Sequence, residues 1–120
     1  MVFTSNYSNR RIPLHFYKVR ISVSVPPGVK TDGQWLTVAP DWETLLKPYK
    51  DHLIGDYEYT RRYLAYLDEN REKITEEFRQ LIAAHGFVVL LCWCGKGKFC
   101  HRRLLAAWLR KQGFDEIKEL

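Results

Sequence analysis

Three cysteines and a histidine stand within ten residues: Cys92, Cys94, Cys100 and His101, in the segment LLCWCGKGKFCHRRLLAAWL. Lys96, Lys98, Arg102 and Arg103 are interleaved with them. Thiols and imidazole are the groups of nucleophilic catalysis, and they also ligate soft metals. Ammonium and guanidinium groups hold anions. A thiolate is favoured beside cations and at a helix N-terminus. That places Cys100 and Cys94 as candidate nucleophiles and His101 as an acid/base or orienting group. Cys92, still inside an apolar run, reads as core or as a pocket wall. The same four side chains have the donor types for zinc or an iron–sulfur cluster. The spacing C-x-C-x5-C-H suits them poorly, because adjacent Cys100 and His101 seldom share one ion and the surrounding cations oppose another. In a third reading, all three cysteines are small buried hydrophobes. The residues alone leave the three readings open.

The elements around the cluster follow from periodicity. Phe87–Leu91 (FVVLL) is continuously apolar, which predicts a strand buried on both faces of a parallel sheet. A glycine-containing loop follows, then a helix from about Cys100 to Gln112 with Leu104, Leu105, Trp108 and Leu109 on its core face. Gly113 and Phe114 fit a Schellman ending. Such a strand–loop–helix turns main-chain N–H groups toward the carboxyl end of the sheet, where α/β proteins bind ligands. His101, Arg102 and Arg103 in the first helical turn oppose the helix dipole, and a bound phosphate or other oxyanion would reverse that. The alternative is that the arginines face solvent or pair with acids from residues 32–77.

Upstream, Val2-Phe3 begins a buried strand and Ser5–Asn9 reads as a turn. Phe16–Val25 alternates, with Val19, Ile21, Val23 and Val25 on one face, and predicts a second strand. Pro26-Pro27-Gly28 ends it. Asp41 caps a short helix limited by Pro48. A helix from Gly55-Asp56 carries Tyr59, Tyr63, Tyr66 and Leu67 on one stripe, and another runs from about Arg71 to His85. A short edge strand, Glu116–Leu120, closes the chain. The expected fold is a single α/β domain over residues 1–120, with a small, mostly parallel sheet covered by helices in two or three layers.

Charge falls in blocks. Residues 1–31 hold five basic side chains and no acid, and residues 78–114 hold seven and no acid. Residues 32–77 hold six basic and eleven acidic side chains. If the fold joins the two basic blocks, an electropositive face results that draws phosphates. Arg10 and Arg11 extend it toward nucleic acid, without any duplex-reading motif. The 17 aromatic residues argue against disorder. No apolar run approaches a membrane-spanning length, and MVFTSNYSNRR is no signal peptide. Three clustered cysteines, an odd number, argue for a reducing compartment and a cytoplasmic location. Neither a P-loop, a GxGxxG turn nor a Ser-His-Asp set is present.

The Cys92–Leu109 region also resembles, in shape, the anion loop of tyrosine phosphatases and rhodaneses. The phosphatase spacing C-x5-R is broken, because six residues after Cys94 stands Cys100. A closer resemblance is to the domain of unknown function 488 family, through Leu-Leu-Cys at the strand end and Cys-His-Arg opening the helix. RISVSVPPG (Arg20–Gly28), TVAPDWETLLKPYKD (Thr37–Asp51) and YEYTRRYLAYL (Tyr57–Leu67) extend the likeness. TSNYSN (Thr4–Asn9) resembles the opening of a short, phage-like branch. The resemblance implies a compact α/β fold and no established activity. It carries over Cys92, Cys100, His101 and Arg102, with Thr4, Ser5, Tyr7 and Arg20 beside them. Cys94 departs from the pattern, which weakens a metal site that depends on it. The expectation is a pocket that binds a phosphate-containing ligand, a nucleotide or nucleic acid, through Arg102, Arg103, Lys96 and Lys98. No cofactor is expected in it. The rivals are a zinc or iron–sulfur accessory protein and a non-enzymatic nucleic-acid- or protein-binding module.

Overall fold

The computed structural model describes residues 1–93 and 99–120. Cys94, Lys96 and Lys98 lie outside them. The described residues form a five-stranded sheet in the order β3-β2-β4-β1-β5. The strands are β1 (Val2–Asn6), β2 (Tyr17–Arg20), β3 (Gly33–Gln34), β4 (Val88–Cys92) and β5 (Ile117–Glu119). Every pairing is parallel. The apolar run predicted as a doubly buried strand is the central β4, with Val88 opposite Val2 and Cys92 opposite Asn6.

The helices are α1 (Lys47–Lys50), α2 (Asp56–Glu69), α3 (Arg71–Ala84) and α4 (His101–Lys111). Tyr59, Tyr63 and Leu67 of α2, Ile74 and Phe78 of α3, and Leu105, Trp108 and Leu109 of α4 share one core with Val19, Val88, Leu90 and Cys92. The opposite face, Val89 and Leu91, is covered by Phe16, Phe3, Tyr7 and Ile12. None of these belongs to a helix. Tyr7, Ile12 and Phe16 of the β1–β2 connection, with Phe3 of β1 and Leu120, close that face in place of a helical layer. The molecule is a two-layer α/β domain, and β4 is buried on both sides as its sequence requires. No helix among the described residues is long and apolar enough to cross a membrane.

Three expectations are corrected. The strand predicted to span Phe16–Val25 ends at Arg20. Arg20 Nε and Nη2 donate to the carbonyls of Ser22 and Val23, and Ser22 Oγ donates to Ser24 O, so side chains replace the ladder and bend the chain. Val23 is consequently exposed. The first strand runs further than expected, through Ser5 to Asn6. Tyr66 leaves the buried stripe, and its hydroxyl donates to Thr37 O at 2.7 Å.

Asp41 caps as expected, accepting from Thr44 N, but the turn it opens, Trp42–Leu46, is a π-helix that leads into α1. The end of α4 is a Schellman motif: Phe114 N donates to Leu109 O and Gly113 N to Arg110 O. Gly113 has φ +104°, a conformation costly for any side chain. Gly113→Ala is expected to lower stability by roughly 1–2 kcal/mol, read as a lower urea midpoint with an unchanged slope.

Candidate functional site

The alternation of β4 turns Val88, Leu90 and Cys92 toward the helices. Cys92 therefore reaches the N-terminus of α4, where Cys100 is the N-cap residue in extended conformation. The two Sγ atoms lie 2.7 Å apart, both buried. Cys92 is a core residue, as its place in the strand predicts, that also touches the cap of α4.

His101 follows Cys100 and is buried, its ring edge-on to Tyr63. Its Nε2 lies 2.9 Å from the carbonyl oxygen of Ile21, the residue that follows β2. A carbonyl only accepts, so Nε2 carries the proton and donates. In the neutral ring, Nδ1 then holds a bare lone pair. That atom is 3.8 Å from Cys100 Sγ. A main-chain carbonyl thereby fixes which imidazole nitrogen faces the thiol.

Arg102 has no exposed surface. Its Nη1 donates to Cys92 Sγ at 3.1 Å, while Nε and Nη2 donate to the Glu119 carboxylate, the closest contact being 2.8 Å. Thr4 Oγ1 donates to the other side of that carboxylate. Burial alone would push the guanidinium toward losing its proton. The bonds to Glu119 and Cys92 outweigh it, and its pKa is raised. Burial likewise pushes Glu119 up, but Arg102 and Thr4 pull harder and leave it lowered. The charge in the first turn of α4 is therefore answered from within, by Glu119 and sulfur. The expected partner among residues 32–77 is replaced by a residue of β5.

Other predicted site residues gather around this chain of contacts. Tyr7 N donates to Cys92 O. The Tyr7 hydroxyl meets Ser22 Oγ at 2.5 Å, and burial raises its pKa despite that bond. Ser5 is fully buried and its Oγ accepts from Asn9 Nδ2. Arg20 is occupied with the main chain after β2, and Arg103 is exposed. Trp93 adds a rim, donating to Ser24 O and standing edge-on to Tyr7.

Glu119 was missed by sequence reasoning. A signal for it existed: Arg102 sits three, four and seven residues before Leu105, Ala106 and Leu109, on the buried stripe of α4. A charge on that stripe requires an opposite partner. Tyr59 and Tyr63 of the α2 stripe are buried in the core. A cavity of about 680 Å³ lies elsewhere, lined by Pro40, Trp42 and the Arg61–Tyr66 stretch of α2. It contains no cysteine or histidine, and its Arg61 and Arg62 are both held by Glu58. The chemistry, not the cavity, marks the site.

A known sequence family, described as the active DUF488-N3 subclade, matches residues 2–113. No curated protein and no solved structure matches the chain.

Proposed function

Since the chain belongs to the DUF488 family, in its DUF488-N3 subclade, we propose that Cys100 is a thiol nucleophile working on a phosphate-containing ligand, a nucleotide or nucleic acid, at the carboxyl end of the sheet. The observation that carries this reading is the tethered imidazole: with Nε2 held by Ile21 O, Nδ1 faces Cys100 Sγ. His101 takes the thiol proton and later returns it to a leaving group. The N-terminus of α4 favours negative charge on sulfur and on the ligand. Arg102, paired with Glu119 and Cys92, stabilises charge on the sulfur pair. Contact with the ligand anion falls to Arg103, Lys96 and Lys98. The subclade's description as active agrees with a working site.

A second reading has its own observation: ligand atoms of Cys92, Cys100 and His101 lie within 4.8 Å of one another. Zinc is the metal these donors suit. Against it, tetrahedral zinc with Zn–S bonds near 2.3 Å sets sulfurs about 3.8 Å apart, whereas these are 2.7 Å apart. A guanidinium already donates a hydrogen bond to one of them.

The test is iodoacetamide labelling at pH 7, mapped by mass spectrometry, with and without inorganic phosphate or mononucleotides. Cys100 is expected to label in the folded protein and to be protected by the anions. Labelling only after unfolding would overturn the nucleophile. Labelling without protection would overturn the phosphate ligand. Stoichiometric zinc or iron in protein purified without added metal would decide for the second reading.

A further inference from the structure

We infer that Cys92 and Cys100 are a peroxide-oxidisable dithiol, in which Cys100 is oxidised first and Cys92 resolves it to a disulfide. This rests on the reading above that Cys100 is the reactive thiol, and adds a chemistry for its neighbour. Two observations point to it. The sulfurs are in contact at 2.7 Å although they come from different elements, the end of β4 and the cap of α4. Each also has its own activating group: the His101 Nδ1 lone pair beside Cys100, and the Arg102 guanidinium 3.1 Å from Cys92.

A nucleophile alone needs one such sulfur. A second sulfur, kept beside a buried cation, is suited to attack. Cys100 is the sulfur beside the His101 Nδ1 lone pair and so the one that loses its proton first. Its thiolate attacks one oxygen of hydrogen peroxide. An S–O bond forms, the O–O bond breaks, and hydroxide leaves, taking a proton to become water. The product is the Cys100 sulfenic acid. Cys92 thiolate then attacks that sulfur, forming the S–S bond and expelling the oxygen as a second water. Two thiols lose two electrons in all, and one peroxide gains them. The disulfide removes the Cys100 nucleophile until a thiol reductant restores it. Without Cys92, the sulfenic acid is open to a second peroxide and irreversible sulfinic acid.

The experiment is performed on the full chain. Folded protein is treated with a small excess of hydrogen peroxide, quenched, alkylated under denaturing conditions and mapped by mass spectrometry. The expected product has lost two hydrogens, carries a Cys92–Cys100 cross-link, leaves Cys94 alkylated, and reverts with dithiothreitol. Cys92→Ser should convert the product to Cys100 sulfinic acid; the wild-type map stands without this variant should it not fold. A Cys94–Cys100 cross-link, or sulfinic acid at Cys100 in the wild type, would overturn the resolving role of Cys92. These results keep Cys100 reactive, so they leave the nucleophile reading standing. If Cys100 resists both peroxide and iodoacetamide in the folded protein, both readings fall together.

Discussion

Glu119→Gln is expected to destabilise the fold by about 3 kcal/mol, the lower end of what removing one partner of a buried ion pair costs. The lower end applies because the Glu119 side chain is 26% exposed while Arg102 is fully enclosed. Glutamine keeps the shape but strips the charge that two guanidinium nitrogens face. Arg102 cannot shed its proton to escape, so its charge stays buried without the carboxylate that answers it. The effect has a definite pH signature. Glu119 is lowered in the folded protein from an ordinary value of 4.5. Its contribution is therefore full above that pH and is lost as pH falls through the folded value. Urea unfolding should show a wide gap between wild type and variant at neutral pH that closes in acid. A gap independent of pH would mean that Glu119 acts by packing, not by charge.

Phe78→Ala is expected to cost about 3–5 kcal/mol, as truncation of a buried aromatic does. Phe78 has no exposed surface. It stacks on Trp35 at 5.5 Å and meets Phe114 edge-on at 4.8 Å. One ring thus ties α3 to the segment after β3 and to the Schellman turn that delivers the chain into β5. Loss of so large a fraction of a small domain's stability should appear as unfolding well below the wild-type urea midpoint. A loss under about 1 kcal/mol would show that the surrounding core collapses into the space.

What could be read from residues in order was mostly local. The apolar run of β4, the stripes of α2, α3 and α4, the Asp41 cap and the Gly113-Phe114 ending each carry a signal within a few residues, and each is present. What failed depended on side-chain partners, near or distant, that periodicity does not show. The early end of β2 is set by Arg20 bonding to its own following turn. The two-residue β3 is too short for any periodicity and exists through pairing with β2. In the site, residue types announced Cys100 and His101, while their relation needed Ile21 from another element. Arg102 was legible as a cation near the thiols, and its partner Glu119 lies 17 residues on. The first-turn charges suggested an external anion because an internal one, on the last strand, carries no local mark. Lys96 and Lys98 belong to the proposal through their place in the sequence.

In the proposed site His101, its Nε2 held by Ile21 O, takes the Cys100 proton at Nδ1, leaving a thiolate beside an imidazolium near neutral pH. The most direct measurement is the ultraviolet thiolate band of the folded protein at pH 7, compared with Cys100→Ser and with His101→Gln. Cys100→Ser is expected to remove absorbance, and His101→Gln, with Cys100 intact, to remove much of the same band at pH 7 and recover it at higher pH. Identical spectra for wild type and both variants at pH 7 would contradict it, leaving Cys100 a protonated thiol in the core.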